Sequence, residues 1–301
     1  MAIWTITNRR LPPTSVDSQP RYASERLSKM IQAKDLTAQY RDDGNLNARI
    51  TLHARFSTNP YGWQRWVFDQ IKAPESAHFL EVGCDPGGLW TANHQRIRAG
   101  WRITLTDLSP GMVRTVAGAL KTLDPTIVPV AADAQALPFG GIFDIIIANH
   151  MLYHVPDRRR ALKEMRRLLK PGGHLYATTV GQAHMHELWA LVAPFIPDIH
   201  QRASRVSQGF TLENGAAQLA KYFNHPTRYI YDDDLRVTEV EPLIGYLQSS
   251  VTLMDCDLAP AQWADLHQNI TAQIRKVGAV CIHKASGLFV ARKPKEEMGT
   301  T

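Results

Sequence analysis

Four groups of side chains in this chain have the types and spacing to do chemistry. Glu81, Gly83, Asp85 and Gly87 lie in Phe79-Leu80-Glu81-Val82-Gly83-Cys84-Asp85-Pro86-Gly87-Gly88, an apolar run that ends in an acid and enters a glycine-rich turn. A strand feeding a helix across such a loop brings backbone N–H groups against a ligand. Asp107, followed by Leu108, closes a second apolar run, and Asp133 with Ala134 follows a third. Carboxylates at these places accept hydrogen bonds from ribose hydroxyls or from an adenine amino group. Asn149, His150 and His154 come after a fourth run, with the two histidines in i, i+4 relation. Histidine in that position suits removal of a proton from a reacting hydroxyl.

These groups need elements to hold them. Phe79 to Val82, Trp101 to Thr106, Thr126 to Ala131, Phe143 to Ala148 and His174 to Thr179 read as strands. The almost continuous apolar run from Phe143 is that of a strand buried on both faces of a parallel sheet. Helices fall between them: Thr91 to Arg98, Ser109 to Leu123 with Ser109 as N-cap and Pro110 in the first turn, and Asp157 to Lys170 stopped by Pro171-Gly172-Gly173. The alternation predicts a doubly wound, mostly parallel α/β sheet whose strands present their carboxyl ends, and all four groups, along one edge.

Outside that core, residues 1–40 read as a loosely attached arm, and two amphipathic helices ending at Phe56 and Ile71 precede the first strand as a lid or pocket wall. These helices are counted with the core, 41–180. Residues 181–257 break the pattern, are too long for a plain loop and are expected to form a substrate cap. Within the cap, Thr238 to Glu241 reads as a capping box. Residues 258–301 then return to the core with a helix and a closing hairpin, Ala279 to His283 with Gly287 to Arg292.

Composition excludes several classes. Hydrophobic content of 44% with 21% charged residues is that of a globular protein, and no apolar run is long enough for a membrane span. Cys84, Cys256 and Cys281 are too scattered for a disulfide framework or a zinc site, which with the absence of a leader pattern predicts a cytoplasmic protein. The net charge of +6 is dispersed, and the runs at Arg158 to Arg160 and Arg166-Arg167 lie on one predicted helix and read as solvated, so no nucleic-acid partner is expected.

Two ligands fit the glycine loop. A dinucleotide fingerprint would need glycine where Asp85 stands, and a carboxylate there repels a pyrophosphate. S-adenosylmethionine (SAM) carries no phosphate and has an ammonium, so Asp85 is less damaging to it. Asp107 serves either nucleotide. The ordered set that follows, Asp133-Ala134-Gln135-Ala136-Leu137-Pro138-Phe139, then Phe143 to Val155, then Leu168-Leu169-Lys170-Pro171-Gly172-Gly173, closely resembles class I SAM-dependent methyltransferases of the small-molecule, type 11 branch that includes the ubiquinone and menaquinone enzymes. The resemblance spans about Trp66 to Thr179 and leaves out the arm and the cap. It implies a seven-stranded Rossmann-like sheet, with Glu81, Gly83 and Gly87 at the methionine end of SAM and Asp107 on the ribose. Leu108 would pack on the adenine, Asp133 with Ala134 would hold the adenine edge, and Asn149 would close the site.

Single residues carry further expectations. Asp85 either holds a left-handed turn or bonds the SAM ammonium. His154, ahead of His150, is the candidate catalytic base for a small-molecule acceptor methylated on oxygen or carbon. His184, His186 and Glu187 lack a third well-spaced ligand, so no metal is expected, and Asp232 to Asp234 reads as a solvated turn. Tyr61 and Trp63 are candidates for an acceptor pocket, and Trp66 for the core. The alternatives are a SAM-binding protein of this fold without methyl transfer, and an NAD-dependent oxidoreductase.

Overall fold

The computed structural model describes residues 43–120, 126–141, 143–254 and 256–295, without the side chains of 43–48 and Leu253. The expected N-terminal arm, 1–40, lies outside the described residues.

The framework is a seven-stranded sheet of β1 (His78–Val82), β2 (Arg102–Asp107), β3 (Ile127–Ala131), β4 (Phe143–Ala148), β5 (Leu169–Val180), β6 (Asn224–Tyr231) and β9 (Ser286–Arg292), in the order β3-β2-β1-β4-β5-β9-β6. The first five strands run parallel and β9 runs antiparallel to both β5 and β6. β1 occupies the switch point, so its loop opens into the crevice between diverging connections. Alternation along β4 feeds two cores: Ile146 and Ala148 pack with Leu162, Met165 and Phe289, whereas Ile145 and Ile147 pack with Phe79, Trp90 and Val116 on the opposite face. A parallel strand buried on both sides needs apolar residues throughout, which is the run read from the sequence.

Helices α1 (Asp43–Phe56) and α2 (Trp63–Gln70) precede β1, α3 (Gly88–Asn93) follows its loop, and α4 (Pro110–Leu120) and α5 (Arg158–Leu168) make two crossovers. Ser109 Oγ accepts from Met112 N–H at 3.4 Å and Asp157 accepts from Arg160 N–H at 3.1 Å, so both helices start at polar caps.

Beyond β5 the expected boundaries shift. α6 (His186–Val192), α7 (Ile199–Ser207), α8 (Gly215–Leu219), β7 (Asp234–Val237), α9 (Val240–Leu253), α10 (Pro260–Val277) and β8 (Val280–His283) complete the described chain. The expected closing hairpin is not formed: β8 pairs with β7 in a separate two-stranded sheet, and β9 alone enters the main sheet. β6, read as part of the cap, is an edge strand of the main sheet. The helix expected to return to the core, α10, instead joins a third apolar core through Leu266 and Ile270, with Leu188, Leu243 and Leu247. Helix α1 belongs to that core as well, through Leu52 and Phe56 one turn apart. The capping box is also absent, since Glu239 rather than Thr238 occupies the N-cap of α9 and no side chain caps it. Among the described residues no helix is long and apolar enough to cross a membrane.

Asp233 is not in a solvated turn. It is 4% exposed, ion-paired with Lys284, and accepts from Ser57 Oγ and from the Asn59 N–H at 3.0 Å. This pair fastens the end of α1 to the β7–β8 layer. Lys284→Met strands a buried carboxylate and is expected to destabilise the protein by about 3–5 kcal/mol, whereas Lys284→Met with Asp233→Leu recovers most of that loss. Urea unfolding midpoints of the two variants test this.

Candidate active site

Leaving β1, the chain passes through three left-handed residues in five: Gly83 (φ 69°), Asp85 (φ 47°) and Gly87 (φ 79°). A Cβ on Gly83 would stand 2.7 Å from Met151 Cβ, and one on Gly87 would stand 2.4 Å from Val116 Cγ2, so both positions exclude side chains. Asp85 takes up the left-handed turn where the motif has glycine, a conformation Asp tolerates better than most residues. Its N–H donates to Asp107 Oδ2 at 3.2 Å, and the Ser109 N–H donates to Asp107 Oδ1 at 2.8 Å. Asp107 therefore binds the first loop to the end of β2.

Glu81 lies fully buried beneath the loop. Asn149 Nδ2 donates to Oε1 at 2.7 Å and Trp90 Nε1 to Oε2 at 2.6 Å. Burial pushes its carboxyl up to about 8, against the pull of those two donors. Burial and the neighbouring Asp107 likewise push Asp85 up to about 7, while the charge of Arg49 on α1 acts in the opposite sense. Burial raises Asp107 too, offset by its two backbone donors.

The other predicted residues complete the edge. Leu108 is 52% exposed beside Asp107. Asp133 organises its own turn, accepting from the Gln135 N–H at 2.8 Å and from Gln135 Nε2, and Ala134 beside it is buried. Asn149 is oriented from β5, where Thr178 Oγ1 donates to its Oδ1 at 3.3 Å and accepts the His150 N–H at 2.8 Å.

A cavity of about 400 Å³ opens past the ends of β4 and β5. Arg49, Tyr153, His154, His184, Trp189 and Tyr246 are among its walls. His154 thus faces it, while His150, held at φ 46°, packs its ring 5.0 Å from Trp63 and is not in the lining. Burial lowers both histidines to about 4, with His154 and Lys284 adding to the effect on His150, and Arg49 to that on His154. Both are neutral at pH 7. Tyr61 and Trp63, expected at the acceptor pocket, are not in this lining either: Tyr61 is exposed and donates to Asp69, and Trp63 stacks on Trp66 with Tyr231 against both. His184 and His186 both line the cavity, His184 near His53 and His186 against His200, with ring centroids 4.3 Å apart.

Residues 80–177 match the family described as "Methyltransferase domain". Over those residues, which run from β1 to β5, the chain is similar to that family. Demethylmenaquinone methyltransferase of Renibacterium salmoninarum is 34% identical over 114 residues, 38% of this chain and 45% of that protein. Ubiquinone biosynthesis O-methyltransferase of Ralstonia nicotianae is 28% identical over 186 residues, 60% of this chain and 73% of that protein. The chain thus spans less than half the length of the Renibacterium protein. Among solved structures, phosphoethanolamine N-methyltransferase 2 of Haemonchus contortus, in complex with phosphomonomethylethanolamine and S-adenosylhomocysteine, aligns with a TM-score of 0.54 at 17% identity, covering 85% of this chain and 58% of that one. The YcgJ protein of Bacillus subtilis aligns with a TM-score of 0.51 at 15% identity, covering 78% and 98%. At such identities the structural likeness speaks to fold.

Several residues around the methyltransferase domain's crevice had no readable signal. Trp90 and Thr178 lie in ordinary helix and strand patterns, and Arg49, His53 and Tyr246 reach the crevice from segments outside the family match. The burial of His53, His150, His154 and His184 sets the acid limit of the fold. Burial lowers His53 to about 3 and His184 well below its ordinary range. Each returns to about 6.5 on unfolding, so unfolding takes up protons below that pH and stability is lost as pH falls towards 4. Glu81 and Asp85 are raised instead, so unfolding releases their protons and stability declines as pH rises from about 4 through about 7–8. The melting temperature should therefore peak at about pH 6.5, falling on the acid side, where four histidines outweigh the two carboxyls, and on the alkaline side, where the two carboxyls act alone. Scanning calorimetry from pH 5 to about 8 checks this, and a flat acid limb counts against it.

Proposed function

We propose that this chain is a SAM-dependent methyltransferase acting on a small organic acceptor through oxygen or an activated carbon. The observation that carries the acceptor chemistry is the neutral His154 in the wall of a cavity past the ends of β4 and β5. The family match and the names of the relatives support methyl transfer as the reaction class.

The crevice suits SAM by its own chemistry. Asp107 keeps lone pairs beyond its two backbone bonds for the ribose hydroxyls. Leu108 offers an apolar face to the adenine and Asp133 an acceptor for its amino group. Asp85, half-buried beside Asp107, gains from a cation, and the ammonium of the methionine end supplies one. A pyrophosphate in the same place would meet two carboxyls, which disfavours the dinucleotide reading.

When bound, SAM supplies an electrophilic methyl group whose transfer breaks a carbon–sulfur bond and leaves S-adenosylhomocysteine. The residues position the acceptor, which supplies much of the rate in a displacement of this kind. His154 accepts the acceptor's proton as the new bond to the methyl carbon forms. The positive field of Arg49, which depresses His154, also favours the ionised form of a nearby hydroxyl. We place the enzyme in the cytoplasm, in keeping with the sequence reading.

Calorimetric titration with SAM and S-adenosylhomocysteine tests the cofactor, and a labelled-methyl assay against phenols and hydroxy acids tests transfer. Binding without transfer to any acceptor would favour a SAM-binding protein without this activity. Asp107→Ala should weaken SAM binding by about 30-fold to 150-fold, the loss of charge-assisted bonds of about 2–3 kcal/mol. His154→Gln should lower kcat by at least about 10²-fold with SAM affinity unchanged.

The titration of Asp85 gives a separate test. A cation beside a carboxyl near 7 pulls its pKa down, so binding releases a proton and SAM affinity rises from pH 6 to about 7. Asp85→Asn, which keeps the left-handed turn, should abolish that rise. An unchanged pH profile in the variant would leave Asp85 only its role in the turn.

A further inference from the structure

The walls of the cavity past β4 and β5 are polar but nearly free of ionic groups. On α7, His200, Ala203, Ser204 and Ser207 line it at i, i+3, i+4 and i+7. That spacing marks the face a helix ordinarily buries in an apolar core, and here it carries two hydroxyls and an imidazole. Ile199, by contrast, packs into the cap core. Tyr246 and Ser250 of α9, one turn apart, and His184 after β5 continue the wall. Arg49 is the single Arg, Lys, Asp or Glu in the lining among the described residues, and the Asp85 carboxyl shares its charge.

These groups have one property in common. A serine or tyrosine hydroxyl both donates and accepts hydrogen bonds, and a neutral imidazole has one nitrogen for each task. Nδ1 of His184 is buried with no hydrogen-bond partner among the described residues. Nothing at that nitrogen fixes the tautomer, so the ring can donate to a ligand or accept from it. A wall of groups that work both ways matches ligand groups that work both ways, and those are hydroxyls. A carboxylate or phosphate only accepts, an ammonium only donates, and neither meets a counter-charge of its own here. An apolar chain would cut the wall's hydroxyls off from water without replacing their bonds. Trp189 and Tyr153 add aromatic area to the lining, which suits the C–H faces of a saturated ring.

We propose that the methyl acceptor is a neutral polyhydroxylated ring, a sugar or a glycoside, seated between α7 and α9 with one hydroxyl turned to His154. This rests on the methyl-transfer reading above and names the substrate class. That hydroxyl gains the methyl carbon as the bond from this carbon to sulfur breaks, and its proton passes to His154. The remaining hydroxyls are held by Ser204, Ser207, Ser250 and His184. A volume of about 400 Å³ is at the lower end of pockets for small organic ligands, in keeping with an acceptor of this size. Of the lining residues named here only Tyr153 and His154 fall within residues 80–177, so the wall that selects the acceptor belongs to this chain and not to the family match.

The test is calorimetry on the full chain saturated with S-adenosylhomocysteine. It is titrated with the phenyl glycosides of glucose, galactose, mannose and rhamnose, with 2-phenoxytetrahydropyran, which keeps the rings and lacks the hydroxyls, and with phenyl glucuronide, which adds a carboxylate. At least one neutral glycoside should bind about tenfold or more tighter than both counterparts, the scale of a few net hydrogen bonds. Ser204→Ala with Ser250→Ala should cut that preference by about threefold or more. A folded variant that keeps the full preference overturns the proposal, and the wild-type comparison alone decides the matter if the variant does not fold. A smaller preference over either counterpart, or no binding of any neutral glycoside up to about 10 mM, roughly the limit of useful affinity, overturns it as well. Failure to bind S-adenosylhomocysteine in the first place would instead overturn the methyl-transfer reading.

Discussion

The buried carboxyl of Glu81 holds the functional edge together. It ends β1, yet its two oxygens are claimed by Trp90 on α3 and Asn149 after β4. Asn149 is held in turn by Thr178 on β5. One acid thereby joins three neighbouring strands and the first helix at the point where the sheet opens. A polar group so placed is unfavourable unless its bonds are complete, and a completed network is stiff. The backbone between Glu81 and Gly88 is then confined to a path that only left-handed residues can follow, with Met151 and Val116 filling the space that Cβ atoms would need.

The cap follows from a different constraint. Helices α1, α6, α7, α9 and α10 and the β7–β8 ribbon each have an apolar face that the main sheet does not cover, and they bury those faces on one another. The result is a core of its own, to which α1 contributes from before β1 and α10 from after the cap proper. The Asp233–Lys284 pair sits where these segments meet, and its burial restricts how α1 can dock. A misdocked α1 would leave two uncompensated charges in a low-dielectric site, so the pair specifies an arrangement more than it adds stability.

Much of this was legible in the sequence, and the divide is physical. The five parallel strands and the glycine loop were readable because a parallel sheet repeats a local pattern: an apolar run, a turn, a capped helix. The pairings of β6, β8 and β9 were not. β6 is mostly exposed and lacks an apolar run, and β8 and β9, adjacent in sequence with a short link, look like a hairpin although their pairing partners lie elsewhere. Non-local pairing has no signature in a window of residues. The same holds for the cavity, where Arg49, His184 and Tyr246 converge from three segments that share no motif. Tyr61 and Trp63 carried the more conspicuous local signal and lie outside the lining.

Asp85 shows how a local rule and a tertiary fact combine. By the motif it stands where glycine belongs, and two properties of glycine matter there: access to positive φ and the lack of bulk. Asp supplies the first at modest strain, as its φ of 47° shows. Its carboxyl brings a second burden, since it is half-buried next to Asp107 and like charges raise each other's protonation. Arg49 acts against that, and Arg49 comes from the helix that belongs to the cap rather than to the sheet. The glycine loop and the cavity therefore share one cation. A substitution that looks like a flaw when the loop is read alone becomes part of the coupling between two sites once α1 is in place, because the charge that tolerates Asp85 is the same charge that sets the polarity of the cavity.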